Sequence, residues 1–216
     1  MEEINRDVAY TSTTMDPSYL VFSGRPNAGK SSLLKAIIGL DVATGKRPGT
    51  TRRISEYPLK SGLVVVDMPG FGRMLGASKR LEEKVNNQIL RFIERRASAI
   101  VLAVHVLDIS TFLTVRRRLA RKGFISVDVE MVALLTEALG ARPLVAANKI
   151  DKANRDAIAA NLDAFLHDLD EGQPSSMASC VFPVSAKTGE GIGALKTTMH
   201  QRLVAQGFRT PFARRD

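Results

Sequence analysis

The stretch "GRPNAGKS", Gly24 to Ser31, constrains the fold more than any other part of this chain. It follows "YLVFS" and precedes "SLLKAII". An apolar strand, a glycine-rich turn and the start of a helix are the setting a phosphate-binding loop requires, and Gly24-x4-Gly29-Lys30-Ser31 is its complete pattern. The glycines let the backbone curl so that successive N–H groups point at phosphate oxygens. The helix that follows adds its positive N-terminal end. Lys30 is placed to reach the β and γ phosphates, and the Ser31 hydroxyl is a hard oxygen ligand for Mg²⁺.

The rest of the chain alternates strands and helices. Strands are expected at residues 19–24, 54–59, 63–67, 99–107, 143–147 and 181–184. Helices are expected at residues 31–39, 81–96, 129–139, 158–169 and 192–205. Pro58 lies in the second strand, which suits a sheet edge, and a "KSG" turn makes that strand one arm of a hairpin. The pattern predicts an α/β fold of the three-layer P-loop NTPase type. A mostly parallel six-stranded sheet carries one antiparallel edge strand, with helices on both faces. Residues 1–17 read as a polar lead-in, 18–206 as the nucleotide-binding domain and 207–216 as a basic tail. Ligand loops belong at the carboxyl ends of the parallel strands.

Four further motifs fall there. Asp67-Met68-Pro69-Gly70 closes the strand "LVVVD". Its carboxylate can hold Mg²⁺ through a water, and Gly70 can offer its N–H to a γ-phosphate. "RPGTTR" precedes the edge strand, and a threonine there can complete the Mg²⁺ shell only when the γ-phosphate is present, which makes a switch. Thr50 and Thr51 compete, with Thr51 favoured. Asn148-Lys149-Ile150-Asp151 follows the strand "LVAA" and chooses the base. The Asp151 carboxylate can accept from guanine N1–H and N2–H₂, a pairing adenine does not offer. Asn148 can serve guanine O6 and N7 and brace the P-loop, while the Lys149 stem can lie over the base. Ser185-Ala186-Lys187 comes last, and the Ala186 N–H can donate to guanine O6.

The nucleotide-contacting residues are therefore Gly24, Arg25, Pro26, Asn27, Ala28, Gly29, Lys30, Ser31 and Ser32, followed by Gly49, Thr50, Thr51, Arg52 and Arg53. Asp67, Met68, Pro69 and Gly70 join them, as do Asn148, Lys149, Asp151, Ser185, Ala186 and Lys187. Lys30, Thr51 and Gly70 are the catalytic candidates. Ser31, Thr51 and, through water, Asp67 are the candidate metal ligands.

"GRPNAGKSSL", "RPGTTR", "DMPGFG", "NKID" and "VSAKTGEGI", in this order, resemble the translation-factor-class P-loop GTPases, and more finely the EngB (YihA-type) GTP-binding proteins. "ISVDVEMVALL" is similar to the archaeal branch. The resemblance covers about residues 18–206. It implies a Mg²⁺-dependent GTPase with little attached to its G domain. Bacterial members are linked to assembly of the large ribosomal subunit, and the family is also associated with division septum formation. Some GTPases with a P-loop asparagine recruit K⁺ beside the phosphates; Asn27 is either such a residue or an ordinary loop residue. Phe71 stands where Ras-type enzymes place a glutamine, so no side chain is offered to orient the attacking water and slow intrinsic turnover is expected.

The chain has 31 Lys and Arg against 22 Asp and Glu, a net charge of +9, which favours a polyanion such as rRNA. Residues 110–126, "STFLTVRRRLARKGFIS", form a basic arm that reads equally as an RNA-facing element or a solvated helix face. Cys180 is the only cysteine, so no internal disulfide can form. The longest apolar run is far short of a membrane span, and a cytoplasmic monomer is expected. His105, in a buried strand, reads as a satisfied core group. Two functions compete: a GTPase switch in ribosome assembly, and a guanine-nucleotide sensor with negligible turnover that acts through a protein partner. A tRNA-modification partner ranks below both.

Overall fold

The computed structural model describes residues 17–39, 53–59, 62–72, 78–170 and 177–212. Six strands form one sheet: β1 (Ser18–Ser23), β2 (Ser55–Pro58), β3 (Leu63–Asp67), β4 (Ile100–Asp108), β5 (Leu144–Asn148) and β6 (Val181–Pro183). Their order is β2-β3-β1-β4-β5-β6. All neighbours are parallel except β2 and β3. Pro58 sits on β2, which pairs only with β3, so its missing N–H breaks no ladder.

The helices are α1 (Lys30–Ile38), α2 (Lys79–Arg96), α3 (Phe112–Ala120), α4 (Val127–Leu139), α5 (Arg155–Leu169) and α6 (Ile192–Ala205). Strand alternation sends β1 side chains to opposite faces. Leu20 and Phe22 meet Leu33 and Ile37 of α1 and Leu195, Met199 and Leu203 of α6. Tyr19 and Val21 meet Val85, Ile89 and Ile93 of α2 and Met131 and Leu135 of α4. Val145 and Ala147 of β5 pack with Phe165 of α5. β3 and β5 are buried along their whole length, as strands covered on both faces must be. Helix starts are capped where the chain supplies Ser or Asn: Ser78 accepts from the Leu81 N–H, Ser126 from Asp128 and Asn154 from Ala157.

The basic arm takes the helical form that one of its two readings expected: within it lies a regular helix, α3. Phe112 is buried edge-on against Phe165, with ring centroids 5.2 Å apart. Asn161 accepts from the Leu113 N–H at 2.7 Å, and Arg116 forks onto Asp168 at 2.7 and 2.6 Å. What the sequence did not give is its anchoring, by one aromatic and one ion pair. The described part of the C-terminal tail also packs back on the domain: Phe208 and Phe212 rest against the α1–α6 cluster, and Lys196 lies over the Phe212 ring. Among the described residues, no helix is long and apolar enough to cross a membrane.

Candidate nucleotide site

The site gathers at the carboxyl ends of β1, β3, β4, β5 and β6. β1 delivers Gly24 with φ +147°, and a Cβ there would lie 2.1 Å from the Val106 carbonyl oxygen of β4. Only glycine lets the loop turn so close to the neighbouring strand. Lys30 opens α1 and is buried, with Nζ donating to the Gly24 and Arg25 carbonyls at 3.0 and 3.1 Å. Burial pushes its pKa down to about 8, with Asp67 and Asp128 pulling weakly the other way. A buried ammonium so placed is stabilised by an anion.

Asp67 ends β3 and is fully buried. The Ser31 hydroxyl donates to its Oδ2 at 3.1 Å, while its Oδ1 is buried with no hydrogen-bond partner. Burial pushes the carboxyl pKa up, against the opposing pull of Lys30 and the Ser31 hydrogen bond. Two hard oxygens, one belonging to a carboxylate with an orphaned lone-pair set, have the donor chemistry a Mg²⁺ ion takes. Beyond Asp67 the chain lies along the P-loop: the Met68 N–H donates to Phe22 and the Phe71 N–H to Gly24. Gly70 is so close that an added Cβ would lie 2.5 Å from Pro26. Phe71 packs against the cluster beside α2, together with Ile54.

The Asn148–Asp151 motif is wired to the same loop. Asn148 is 2% exposed; its Nδ2 donates to the Ala28 carbonyl at 2.8 Å, and its Oδ1 accepts from the Ala186 N–H at 3.0 Å. Lys149, in the left-handed region at φ 70°, donates to the Asn27 carbonyl and pairs with Asp108 at 2.6 Å. The Ser185 hydroxyl, fully buried, donates to Asp151 Oδ1 at 2.7 Å. That bond is the main cause holding the Asp151 carboxyl below its usual pKa. Its carboxylate lies at the surface with 14% of the side chain exposed, and Lys187 approaches only to 4.0 Å.

These positions refine the sequence reading. The bracing of the P-loop by Asn148 is a direct hydrogen bond, and the Ala186 N–H meets Asn148 in this structure. Asn27 and Ser32 are exposed, as is Arg53 at the foot of β2. Gly49, Thr50, Thr51 and Arg52 lie outside the described residues.

A buried polar chain was missed. The Arg25 Nε lies 2.7 Å from Asp128 Oδ2, a close ion pair whose alignment falls short of a hydrogen bond. Asp128 Oδ1 is 3.2 Å from His105 Nε2, and His105 Nδ1 is 3.0 Å from the Ser23 hydroxyl. His105, a core group as expected, thus joins the end of β1 to the start of α4, where Asp128 meets Arg25 of the P-loop. Asp128 stands just before the helix expected at 129–139; in the structure it is in the first turn of α4, and only the tertiary fold buries it against Arg25. Asp108 was missed likewise, at the end of a strand otherwise read as core.

The family model described as 50S ribosome-binding GTPase matches residues 19–149. The probable GTP-binding protein EngB of Methanopyrus kandleri is 40% identical over 192 residues, 88% of this chain and 94% of that protein. Its counterpart in Archaeoglobus fulgidus is 36% identical over 191 residues, with the same coverage. A crystal structure of a probable GTP-binding protein engB superposes with a TM-score of 0.76 at 34% identity, covering 87% of this chain and 100% of that one. Era, in a crystal structure with MgGDPNP and nucleotides 1506-1542 of 16S ribosomal RNA, shares the fold at a TM-score of 0.57 and 20% identity, covering 86% of this chain and 56% of that one.

Proposed function

This chain belongs to the EngB family of GTP-binding proteins, and from that premise we propose that it is a Mg²⁺-dependent GTPase switch assisting assembly of the large ribosomal subunit. The observation that carries the nucleotide half is the Asp151–Ser185 bond beside the Asn148 brace. An ionised carboxylate, acceptor only, can take both a guanine N1–H and its N2–H₂. The ribosomal half is supported by the family description and by the net positive charge.

In this reading Lys30 and the P-loop amides neutralise the β and γ oxygens, and Gly70 donates its N–H to the γ-phosphate. Ser31 and Asp67, with Thr51, would hold Mg²⁺, which supplies further charge neutralisation when bound. Phosphoryl transfer asks mainly for positioning and charge. Phe71 offers no hydrogen bond to a water and packs into the core beside α2. Intrinsic turnover is therefore slow and awaits a partner, or K⁺ beside Asn27. Equal turnover in K⁺ and Na⁺ buffers would end the K⁺ idea.

Phe71 also favours a second reading, a guanine-nucleotide sensor that acts through a protein partner without meaningful turnover. Cosedimentation with ribosomal subunits of the source organism, in GDP and in a non-hydrolysable GTP analogue, tests the ribosomal role. Binding to the large subunit only in the GTP-like state is the expected result. No binding in either state would remove the ribosome.

A further inference from the structure

α2 turns one charged stripe outward. Arg80, Lys84, Arg91 and Arg95 follow at intervals of four, seven and four residues, all exposed. At ~1.5 Å of rise per residue the stripe runs ~22 Å along a single helix face. It forms one wall of an open groove of about 1030 Å³, and Arg53 and Ile54, leading into the edge strand β2, form the other. Glu83 is the one carboxylate of the lining, and Lys79 draws it at 3.9 Å. Among the described residues, Arg53, Arg80, Lys84, Arg91 and Arg95 make no ion pair; Arg96 alone is engaged, donating to the Tyr19 hydroxyl at 2.8 Å. A concave surface with this many uncompensated cations repels itself until an anion enters.

We propose that this groove is a docking surface for an RNA strand, bound through its phosphodiester backbone. The proposal deepens the ribosomal reading and rests on it for the source of the RNA. Charge complementarity selects a polyanion, and the ribosomal reading makes that polyanion an RNA. Five of the six cations of the lining are arginines, whose planar forks match phosphate oxygens two at a time. The stripe is long enough to lie along several successive phosphates of one strand. Asn87 and Gln88 place amides midway along the same wall, able to donate to or accept from ribose and base edges. Arginine forks also take carboxylates, as Arg116 does with Asp168, so it is the ribosomal reading that selects RNA over an acidic protein segment. On α3, by contrast, Arg116 is already spent on Asp168.

The test uses the full chain with GDP. Anisotropy of a labelled oligouridylate, and of protein-free large-subunit rRNA, is followed as salt is raised. The variant R80Q/R91Q/R95Q is compared with wild type and with R117Q/R118Q on α3, and GDP affinity checks that each folds. Loss of three phosphate contacts lowers the salt slope of log K by about 2 for single strands. The expected result is that drop for the α2 variant, with GDP affinity kept, and an unchanged slope for the α3 variant. An unchanged slope in the α2 variant, or no RNA binding by wild type, overturns the proposal. So does an α2 variant that no longer pellets with ribosomal particles when wild type does not bind protein-free rRNA, since a ribosomal protein is then the partner. Wild type that binds RNA through the groove but pellets with no subunit leaves the groove standing and removes the ribosomal reading instead.

Discussion

At the base end of the site, each polar group the motifs supply already has a partner. Ser185 holds Asp151, Asn148 ties Ala28 to Ala186, and Lys149 ties Asn27 to Asp108. At the phosphate end, Lys30 carries a proton at a pKa pushed to about 8, and Asp67 keeps a buried oxygen without a partner. Both ends sit on loops after parallel strands of one sheet, so the difference does not come from rigidity of the scaffold. It comes from charge. The base end recognises neutral edges and can be satisfied in advance. The phosphate end must meet several negative charges, and a pocket that neutralised itself beforehand would lose affinity for them.

Lys30→Ala gives the sharpest break between the ends. Losing a charged donor to phosphate costs about 1.5–3 kcal/mol per hydrogen bond, so GDP affinity should fall by about a hundredfold. Removing a buried ammonium with a depressed pKa should not lower the unfolding temperature of the nucleotide-free protein. Calorimetric titration beside thermal unfolding reads both. Wild-type GDP affinity in this variant would undo the phosphate assignment.

Asp151→Asn acts at the other end and should change which base is bound. The amide can donate where the carboxylate could only accept, so preference should move from guanine to xanthine nucleotides, with GDP weakened by about a hundredfold. Competition between GDP and XDP measures it. Unchanged preference would mean that the base lies elsewhere.

How much of this contrast could be read in the chain depends on the range of the interactions. Lys30, Asp67, Asn148 and Asp151 stand in motifs whose spacing fixes their strand ends, and the alternation of β1 already separated Leu20 and Phe22 from Tyr19 and Val21. A helix was one of the two readings of "STFLTVRRRLARKGFIS", but its docking was hidden, because its anchors, Phe165, Asn161 and Asp168, lie about fifty residues further on. Arg25–Asp128 was illegible for a similar reason. An acid at the start of a helix has a local explanation, the helix dipole, that satisfies a sequence reader before any distant partner is sought. Nothing in the local pattern distinguishes that acid from one buried at 0% exposure against the P-loop.

Asn148→Ala joins the two ends in one measurement. It removes the acceptor of the Ala186 N–H and the donor to the Ala28 carbonyl, leaving buried backbone groups unpaired. A cost of about 1–3 kcal/mol in unfolding free energy is expected, with GDP affinity down by about tenfold. If GDP affinity fell and stability did not, Asn148 would be serving the base and not the brace.

The smallest effect separates the ends without mutation. In the proposed site, the charged form of Lys30 is the one that would bind phosphate. In the free protein burial lowers its pKa to about 8, and a bound phosphate raises it again. Binding therefore takes up a proton above that pKa, and affinity must fall as pH rises through it. Between about pH 7.5 and about pH 8.5 the charged fraction of the free protein drops by about threefold, so GDP affinity should weaken by about the same factor. Asp151, held ionised by Ser185, is already charged throughout this window, so the base end contributes no slope. In Lys30→Ala the residual GDP affinity should be flat across the same range. A slope that survives the mutation would place the titrating group elsewhere, and the charge deficit now assigned to the phosphate end would then belong to another residue.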